Sequence, residues 1–531
     1  MFGPELVLIL GICVLACNLW ADRLRTPAPI LLLVAGILLG FFPALRAVQL
    51  PPEAVLFLFL PALLYWESLT TPLRDIRRYQ RGIVLMSTAL VAATAAAVAV
   101  VVHALGLPWG PAWVLGAAIA PTDATAVGAL ARVLPHRNVT LLRAESLIND
   151  GTALVVYGVA VSLTVGAEPL DGLEISGMFL LAYAGGIAAG VLTVWAGIKV
   201  RRRVRDALLG SVVSILTPFT AFVLAELIGA SGVLAVVTAG LGISQSGPGL
   251  VPAATRRSLE SFWSLSTFML NGALFVLVGM ELQASIRGIS GVGELLRGLL
   301  AMVVVAAVLV GVRLAFLFLM TSALRTTYRG PLAPRPELGA RANVVSALAG
   351  FRGAVSLAAV LATPTVLASG APFPDRGFII FVATGVIVLT LVVQGPLLPA
   401  VVRWAGLPAD AHLYRSERKL AETVASSEAL AAMPRTAAHL GINRDVVAVL
   451  RREYQQHLRV LRARGRGDAG TDPAVANQEQ YRRLRLALLG QKRATVIRLR
   501  NEHRIDDTVL RELQFQLDLE EVRLAPPEAP G

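Results

Sequence analysis

Runs of about twenty apolar residues recur along residues 1–404, and short loops rich in arginine separate them. A helix of roughly twenty apolar residues can cross the ~30 Å hydrocarbon core of a bilayer with all its backbone polar groups paired. The pattern therefore predicts an all-α polytopic membrane domain of about thirteen spans. The predicted spans are residues 4–20, 28–45, 53–69, 82–104, 110–131, 140–166, 175–198, 206–228, 231–246, 259–283, 294–324, 343–367 and 377–403.

Lysine and arginine residues mark one side of this predicted domain. Loops on that side hold 20 of them, whereas loops on the other side hold 4. Positively charged loops stay in the cytoplasm, so the bias predicts a cell (inner) membrane protein with its N-terminus outside and its C-terminus inside. That orientation requires an odd number of spans, which agrees with thirteen.

Residues 405–531 differ from the rest and are rich in Arg, Glu, Gln and Ala. Helical periodicity at Asp445–Arg464 and Asp507–Leu524, with a break at Gly465–Pro473, predicts a soluble helical domain. We interpret it as a regulatory or assembly domain on the cytoplasmic side. Coiled-coil dimerisation and RNA binding are alternatives that the pattern leaves open.

Composition supports the membrane assignment. The chain is 55% hydrophobic and 16% charged, whereas soluble domains carry about 25% charged residues. The net charge of +13 follows from the loops, so it does not indicate a nucleic-acid partner. The stretch Leu6–Trp20 lacks a basic start and a small-residue cleavage site and is therefore predicted to be the first helix. Cys13 and Cys17 predict neither a disulfide nor a metal framework.

Ionisable residues inside predicted spans are costly and indicate function. In span six, Ser146 and Asp150 are four residues apart, as are Glu145 and Asn149. Such pairs lie on the same helix face, so this helix presents two adjacent polar faces. The Ser146 face suits a cation and the Glu145 face suits an ion-pair partner.

Spans five and twelve contain helix breakers beside charges. Pro121 in span five disfavours a continuous helix just before Asp123, and freed backbone carbonyls in broken helices are typical ion ligands of transporters. Span twelve holds Arg352 among glycines, followed by Pro364. A buried arginine needs an acidic partner, and Glu145 is the candidate, either as a lock between helices or near substrate.

Span three carries Glu67 beside Trp66. This residue is predicted to be either a second cation-attracting carboxylate at the mouth of the site or a carboxylate at the membrane interface. Three further charges in or near spans are expected to be structural. They are Arg313, Glu226 and Glu281.

These segments together resemble the monovalent cation:proton antiporter family, which includes bacterial NhaP-type antiporters and animal sodium/proton exchangers. The resemblance covers nearly all of residues 1–404, and its strength lies in several motifs that follow in order, each in its own span. The matching motifs are Phe59-Leu60-Pro61-Ala62-Leu63-Leu64, Pro121-Thr122-Asp123, Glu145-Ser146 through Asn149-Asp150, Phe351-Arg352-Gly353-Ala354-Val355-Ser356, and Phe262-Trp263 with Asn271 and Phe275.

The resemblance implies inverted repeats with spans five and twelve as discontinuous crossing helices, a moving core beside a static dimerisation domain, and a homodimer. It implies that Asp150 carries either the cation or the proton. Further cation ligands would be Ser146, Thr122 and Glu67. Residues that support the site would be Asp123, Asn149, Glu145 and Arg352, the last two as an ion pair. Two positions depart from the family pattern, because Ala62 and Ala124 stand where prolines are common.

The implied activity is exchange of Na+ for H+ across the plasma membrane, with a monovalent cation as the metal and no cofactor besides the transported ions. Burial disfavours the charged form of a carboxyl group, whereas a bound cation favours it, so the two ligands compete. Because Asn149 replaces the first acid of the pair found in some relatives, one proton per sodium is expected. Li+ or K+ could replace or accompany Na+.

The pattern of buried charges also bears on three other function classes. A channel usually repeats short units around a pore, whereas this chain has one unique set of buried charges. A membrane enzyme, with histidine as base or ligand, would need an acid beside a mid-membrane histidine, which the pattern does not supply. A non-transporting sensor on the antiporter fold stays an alternative because the C-terminal domain could signal.

Overall fold

The computed structural model describes residues 4–24, 26–43, 52–71, 73–123, 136–166, 172–204, 206–246, 253–287, 291–327, 339–406, 411–463, 473–502 and 504–524. The chain divides into two compact units, Met1–Pro408 and Ala409–Gly531. Residues 124–131 of the predicted fifth span, including Ala124, lie outside the described residues. The same holds for most of the predicted break at Gly465–Pro473.

The described part of the first unit consists mainly of apolar helices. Among the described residues, seven helices are long and apolar enough to cross a membrane, and five shorter helices are also apolar. The predicted all-α polytopic membrane fold is therefore confirmed. The helices are α1 (Pro4–Leu24), α2 (Ala28–Leu39), α3 (Pro52–Thr70), α4 (Leu73–Ala104), α5 (Trp109–Ile119), α6 (His136–Val165), α7 (Gly172–Leu180), α8 (Gly186–Arg201), α9 (Ala207–Leu227), α10 (Gly232–Ser246), α11 (Ala253–Arg287), α12 (Val292–Thr327), α13 (Ala340–Leu348), α14 (Ala354–Leu361), α15 (Arg376–Leu389) and α16 (Gly395–Ala405).

Local sequence sets several helix ends. Asp206 caps α9, because its carboxylate accepts a hydrogen bond from the Leu209 backbone N–H at 2.9 Å. Gly406 ends α16 in the left-handed conformation, with φ of 62°. Two helix pairs are continuous through a π-helical turn, which is often found at functional positions. These turns are Leu181–Gly185 between α7 and α8 and Thr390–Gln394 between α15 and α16.

Small residues allow close helix packing in the membrane unit. The backbones of α2 and α11 touch, because a Cβ at Gly36 would overlap the carbonyl of Val276 and one at Gly279 would overlap that of Leu33. In a lipid environment such contacts replace the hydrophobic effect as the source of helix association. A separate cluster of buried alanine, valine and leucine side chains joins α4, α5 and α15.

Two predicted spans are interrupted within the membrane unit. Helix α5 ends at Ile119, two residues before Pro121. The predicted span 343–367 consists of α13 and α14, which are separated by residues 349–353. The first interrupted segment lies between the long helices α4 and α6. The second lies between α12 and the continuous segment formed by α15 and α16. Three-span groups of this kind, inserted with opposite orientation, are the inverted repeats of transporter folds.

The second unit is helical and is described separately. Its helices are α17 (Ala411–Leu440), α18 (Arg444–Ala463), α19 (Pro473–Asn501) and α20 (Asp507–Leu524). The two predicted helical stretches correspond to α18 and α20. Arginines of α19 pair with acids of α20, as in the 3.0 Å contact of Arg485 with Glu520. Ion pairs between these helices therefore connect them, in addition to apolar contacts.

Candidate functional site

The interrupted segments meet inside the membrane unit. The backbone N–H of Asp123, four residues beyond the end of α5, donates a hydrogen bond to the Phe351 carbonyl at 2.8 Å. Phe351 lies in the break between α13 and α14. The segment after α5 thus bonds to the segment between α13 and α14. This hydrogen bond pairs a backbone N–H and a backbone C=O that have no partner within a regular helix.

Charged side chains face the helix ends at this meeting point. Arg352 donates from Nε to the Ile119 carbonyl at 3.1 Å and from a terminal nitrogen to the Gly350 carbonyl. Ile119 is the last residue of α5, so the arginine lies at the negative end of that helix dipole. Asp123 lies against Gly353, the residue before α14, where the dipole is positive. Both charges therefore stabilise the ends of broken helices.

Helix α6 is attached to the meeting point through Thr122. The Ser146 hydroxyl donates to the Thr122 carbonyl at 2.5 Å, and Asn149 Nδ2 donates to Thr122 Oγ1 at 2.8 Å. All three side chains are buried. The structure thus brings together three residues that the sequence assigned to one site from two different spans. Their hydroxyl and carbonyl oxygens are the hard ligands that suit an alkali cation.

Asp150 lies one helical turn beyond Ser146 on the same face of α6. Its side chain is 3% exposed, and Oδ1 has no hydrogen-bond partner among the described residues. The same is true of Oε1 of Glu67 on α3. A buried carboxylate oxygen without a donor is costly unless a cation or a proton binds it. These oxygens are therefore the candidate ligands of a bound cation or proton.

Three carboxyl groups share this buried region. Asp150 lies close enough to Glu67 and Asp123 for their charges to interact. Like charges gathered away from water repel one another strongly, so the cluster needs positive charge. Arg143, near the start of α6, is close enough to interact with Glu67. Sequence reasoning assigned Arg143 no role at this site and missed the interaction, since nothing in its position along the chain indicates it.

The predicted ion pair between Glu145 and Arg352 is wrong. Glu145 pairs with Arg313 of α12, whose two terminal nitrogens lie 2.5 and 2.9 Å from the two carboxylate oxygens. Arg313 Nε also donates to the Ser346 carbonyl of α13 at 3.0 Å. The prediction started from Arg352, because a buried arginine needs an acidic partner, and it did not consider Arg313 as an alternative partner of Glu145. A lone arginine within the apolar run of α12 was the signal that indicated the true partner.

The chain was compared with known protein families and proteins. A family model described as the transmembrane sodium/hydrogen exchanger matches residues 7–404. An uncharacterised Na+/H+ exchanger of Mycobacterium tuberculosis is 43% identical over 528 residues, which are 99% of this chain and 97% of that protein. A sodium, potassium, lithium and rubidium/H+ antiporter of Bacillus pumilus is 31% identical over 412 residues, which are 74% of this chain and 61% of that protein.

A solved structure has a similar fold. The sodium proton antiporter MjNhaP1 of Methanocaldococcus jannaschii aligns with a TM-score of 0.55 and covers 75% of this chain and 98% of its own. At 18% sequence identity the likeness concerns the fold, and it agrees with the membrane unit described above.

Proposed function

Because the chain belongs to the sodium/hydrogen exchanger family, we propose that it is a secondary active antiporter that exchanges Na+ for H+ across the plasma membrane. We further propose that both ions use the Asp150 carboxylate in turn. The observation that carries this assignment is the buried Asp150 oxygen that has no donor among the described residues, beside a second such oxygen on Glu67.

The chemistry of exchange follows from competition at one carboxylate. A protonated Asp150 is neutral and needs no counter-charge, whereas an ionised Asp150 needs a bound cation in a region away from water. Either ligand lets the site move across the membrane, and the unliganded ionised site is held back. Ser146 and Thr122, together with Glu67, would complete the oxygen ligands of the cation.

Alternating access would come from movement of the helices that carry the site. Asp123, Asn149 and Arg352 connect α5, α6 and the α13–α14 break through the hydrogen bonds described above. The Glu145–Arg313 pair adds α12 to the same group. A group held together in this way can rock as one body against α3 and the other helices that do not belong to it.

Several finer properties belong to this proposal. Only Asp150 of the neighbouring pair can titrate, since its neighbour is Asn149, so one proton should exchange for one cation without net charge movement. The N-terminus would lie outside and the second unit in the cytoplasm. We propose a homodimer and a regulatory or assembly role for residues 405–531.

The transported cation is the least constrained part of the proposal. Hydroxyl, carbonyl and carboxylate oxygens bind Na+, Li+ and K+ alike. The relative from Bacillus pumilus is named for sodium, potassium, lithium and rubidium, which supports testing K+ as an equal candidate. K+/H+ antiport is therefore the alternative within the same mechanism.

The test uses everted membrane vesicles that contain the full chain and whose lumen has been acidified. Addition of Na+, and separately of K+, should raise the lumenal pH for the wild type and leave it unchanged for Asp150→Asn. A matched control is Asp206→Asn, which makes the same chemical change at an exposed helix cap where asparagine serves equally well.

Each outcome has a definite meaning. Activity of the wild type and of Asp206→Asn, together with inactivity of Asp150→Asn, supports the antiporter and its carrier residue. Activity that survives in Asp150→Asn contradicts the assignment of the carrier. If neither cation raises the lumenal pH between about pH 6 and 9, the chain is a sensor or is inhibited by residues 405–531, and removal of those residues distinguishes the two.

A further inference from the structure

A cavity of about 390 Å³ lies between the group of helices that carries the site and its neighbours. Leu154 of α6 and Ala359 of α14 line it on one side, and Leu60 of α3 and Phe222 of α9 line it on the other. These elements belong to both sides of the proposed moving boundary. The cavity is therefore in the place where an ion would have to pass between solution and Asp150.

The cavity ends close to the candidate site. Leu154 is four residues after Asp150 on α6, so it lies one helical turn, roughly 6 Å, along the same face. Leu60 is seven residues before Glu67 on α3, which is two turns along the same face. Both leucines line the cavity and neither carboxylate does. An apolar barrier about one turn thick therefore separates the cavity from Asp150.

The mouth of the cavity lies at the end of the unit away from the basic loops. The cavity is lined by residues of the carboxyl-terminal parts of α6 and α9, such as Ser162 and Glu226. The cluster Arg201–Arg203 lies at the opposite end of α9, just before its first residue. By the charge bias of the loops, the mouth faces the outside of the cell.

Glu226 is the charged side chain of this cavity. Among the described residues that line it, the others are apolar, glycine, serine or tyrosine. The Glu226 side chain is exposed, and its carboxylate accepts a hydrogen bond from the Gly232 backbone N–H at the start of α10. That bond fixes the carboxylate at the mouth, where a negative charge beside apolar walls raises the local concentration of cations.

We propose that Glu226 forms an outer recruitment site for the monovalent cation, which it concentrates in the cavity before the cation reaches Asp150. The proposal rests on the proposed antiport function and adds a second site to it. Glu226 does not carry the proton or the cation across the membrane; it raises the rate at which external cations reach the barrier of Leu60 and Leu154.

The alternative is that Glu226 only caps α10. The two roles respond differently to substitution, because glutamine keeps an oxygen that accepts the Gly232 hydrogen bond but loses the charge. Under the capping role Glu226→Gln behaves like the wild type, and only Glu226→Ala is impaired. Under the recruitment role the loss of charge alone has an effect.

The first experiment does not depend on transport. In the full chain carrying Cys13→Ser and Cys17→Ser, we would introduce Ala362→Cys, at the cavity wall, or Ser258→Cys, an exposed position at the basic end of α11. Membrane-impermeant thiol reagents should label Ala362→Cys in right-side-out vesicles and Ser258→Cys only in everted ones. Labelling of Ala362→Cys from the basic side alone, or from neither side, would overturn the outward-facing cavity.

The effect of the Glu226 charge is measured next. Ala362→Cys is labelled with a cationic and with an anionic thiol reagent of the same size, and the ratio of the two labelling rates is compared between variants. Glu226→Gln should lower that ratio about tenfold at low ionic strength, and added salt should remove the difference. Glu294→Gln, a change of the same kind near the start of α12 on the same side, is the matched control and should not alter the ratio. An unchanged ratio in Glu226→Gln overturns the proposal.

A transport measurement completes the test. Glu226→Gln should raise the external Na+ concentration that gives half-maximal exchange about three- to tenfold, with the maximal rate unchanged. A fall in the maximal rate with no change in that concentration contradicts recruitment. If the wild type does not exchange ions, the labelling ratio still decides on Glu226, so failure of the proposed function and failure of this inference are distinguishable.

Discussion

Glu145 of α6 and Arg313 of α12 form a two-point ion pair inside the membrane unit, with 8% and 2% of their side chains exposed. Both oxygens of the carboxylate accept from the guanidinium. Since Arg313 also donates to the Ser346 carbonyl, one arginine connects α12 to α6 and to α13. The pair is thus a structural element of the group that carries Asp150.

Removal of one partner should destabilise the protein severely. Arg313→Gln leaves Glu145 buried without its counter-charge, which typically costs about 3–5 kcal/mol of folding free energy. The temperature at which the detergent-solubilised protein aggregates should fall by many degrees. The double variant Glu145→Gln/Arg313→Gln should recover part of the loss, because neither member of the pair is then left charged without the other. An Arg313→Gln protein as heat-stable as the wild type would be inconsistent with this ion pair.

Gly353 should not tolerate a side chain. A Cβ at this position would overlap the Asp123 carboxylate, which lies against the glycine backbone. We expect Gly353→Ala to displace Asp123 from the start of α14 and to abolish exchange in vesicles. Gly377→Ala is the control, because a Cβ there meets nothing within 4 Å. Full activity of Gly353→Ala would show that the contact is not needed for transport.

Exchange should be insensitive to membrane potential. One proton for one monovalent cation moves no net charge, and Asn149 cannot add a second titrating group next to Asp150. The rate of Na+-driven proton flux should stay constant when the potential across proteoliposomes is set with a gradient of a lipophilic ion, which avoids K+ because K+ is itself a candidate substrate. Asp150→Asn vesicles provide the leak correction. A rate that changes severalfold over about 100 mV, where one charge gains about 2.3 kcal/mol, would mean that net charge moves.

Arg493 should hold α20 against α19 in the second unit. Its guanidinium contacts Asp518 at 2.5 Å and Glu521 at 2.6 Å, both on α20. Arg493→Ala should speed amide hydrogen exchange in residues 507–524 a few-fold, and raised salt should reduce the difference because exposed ion pairs are screened. The control is Arg498→Ala, whose partner Glu502 lies just beyond the end of α19 and not on α20. Equal exchange rates in both variants would argue against this role.

Much of the membrane fold could be predicted from the chain itself. Apolar runs long enough to cross a bilayer have few alternatives, because unpaired backbone groups are too costly in lipid. The interruption of span five was predicted from Pro121, which disfavours a continuous helix, whereas the interruption of span twelve was implied by the resemblance to the antiporter family. Helical spacing placed Ser146 and Asn149 on polar faces of α6, and the resemblance assigned both to the site, where both side chains bond to Thr122.

Partner choice between distant helices could not be predicted in this way. Spacing along a helix defines which face a residue occupies, but it does not define which helix packs on that face. Glu145 was therefore assigned to Arg352, whereas the tertiary arrangement brings Arg313 of α12 to it. The same limit applies to Arg143 beside Glu67 and to Glu226 at the mouth of the cavity. Each depends on the three-dimensional arrangement of helices, because electrostatic interaction and enclosure act through space rather than along the chain.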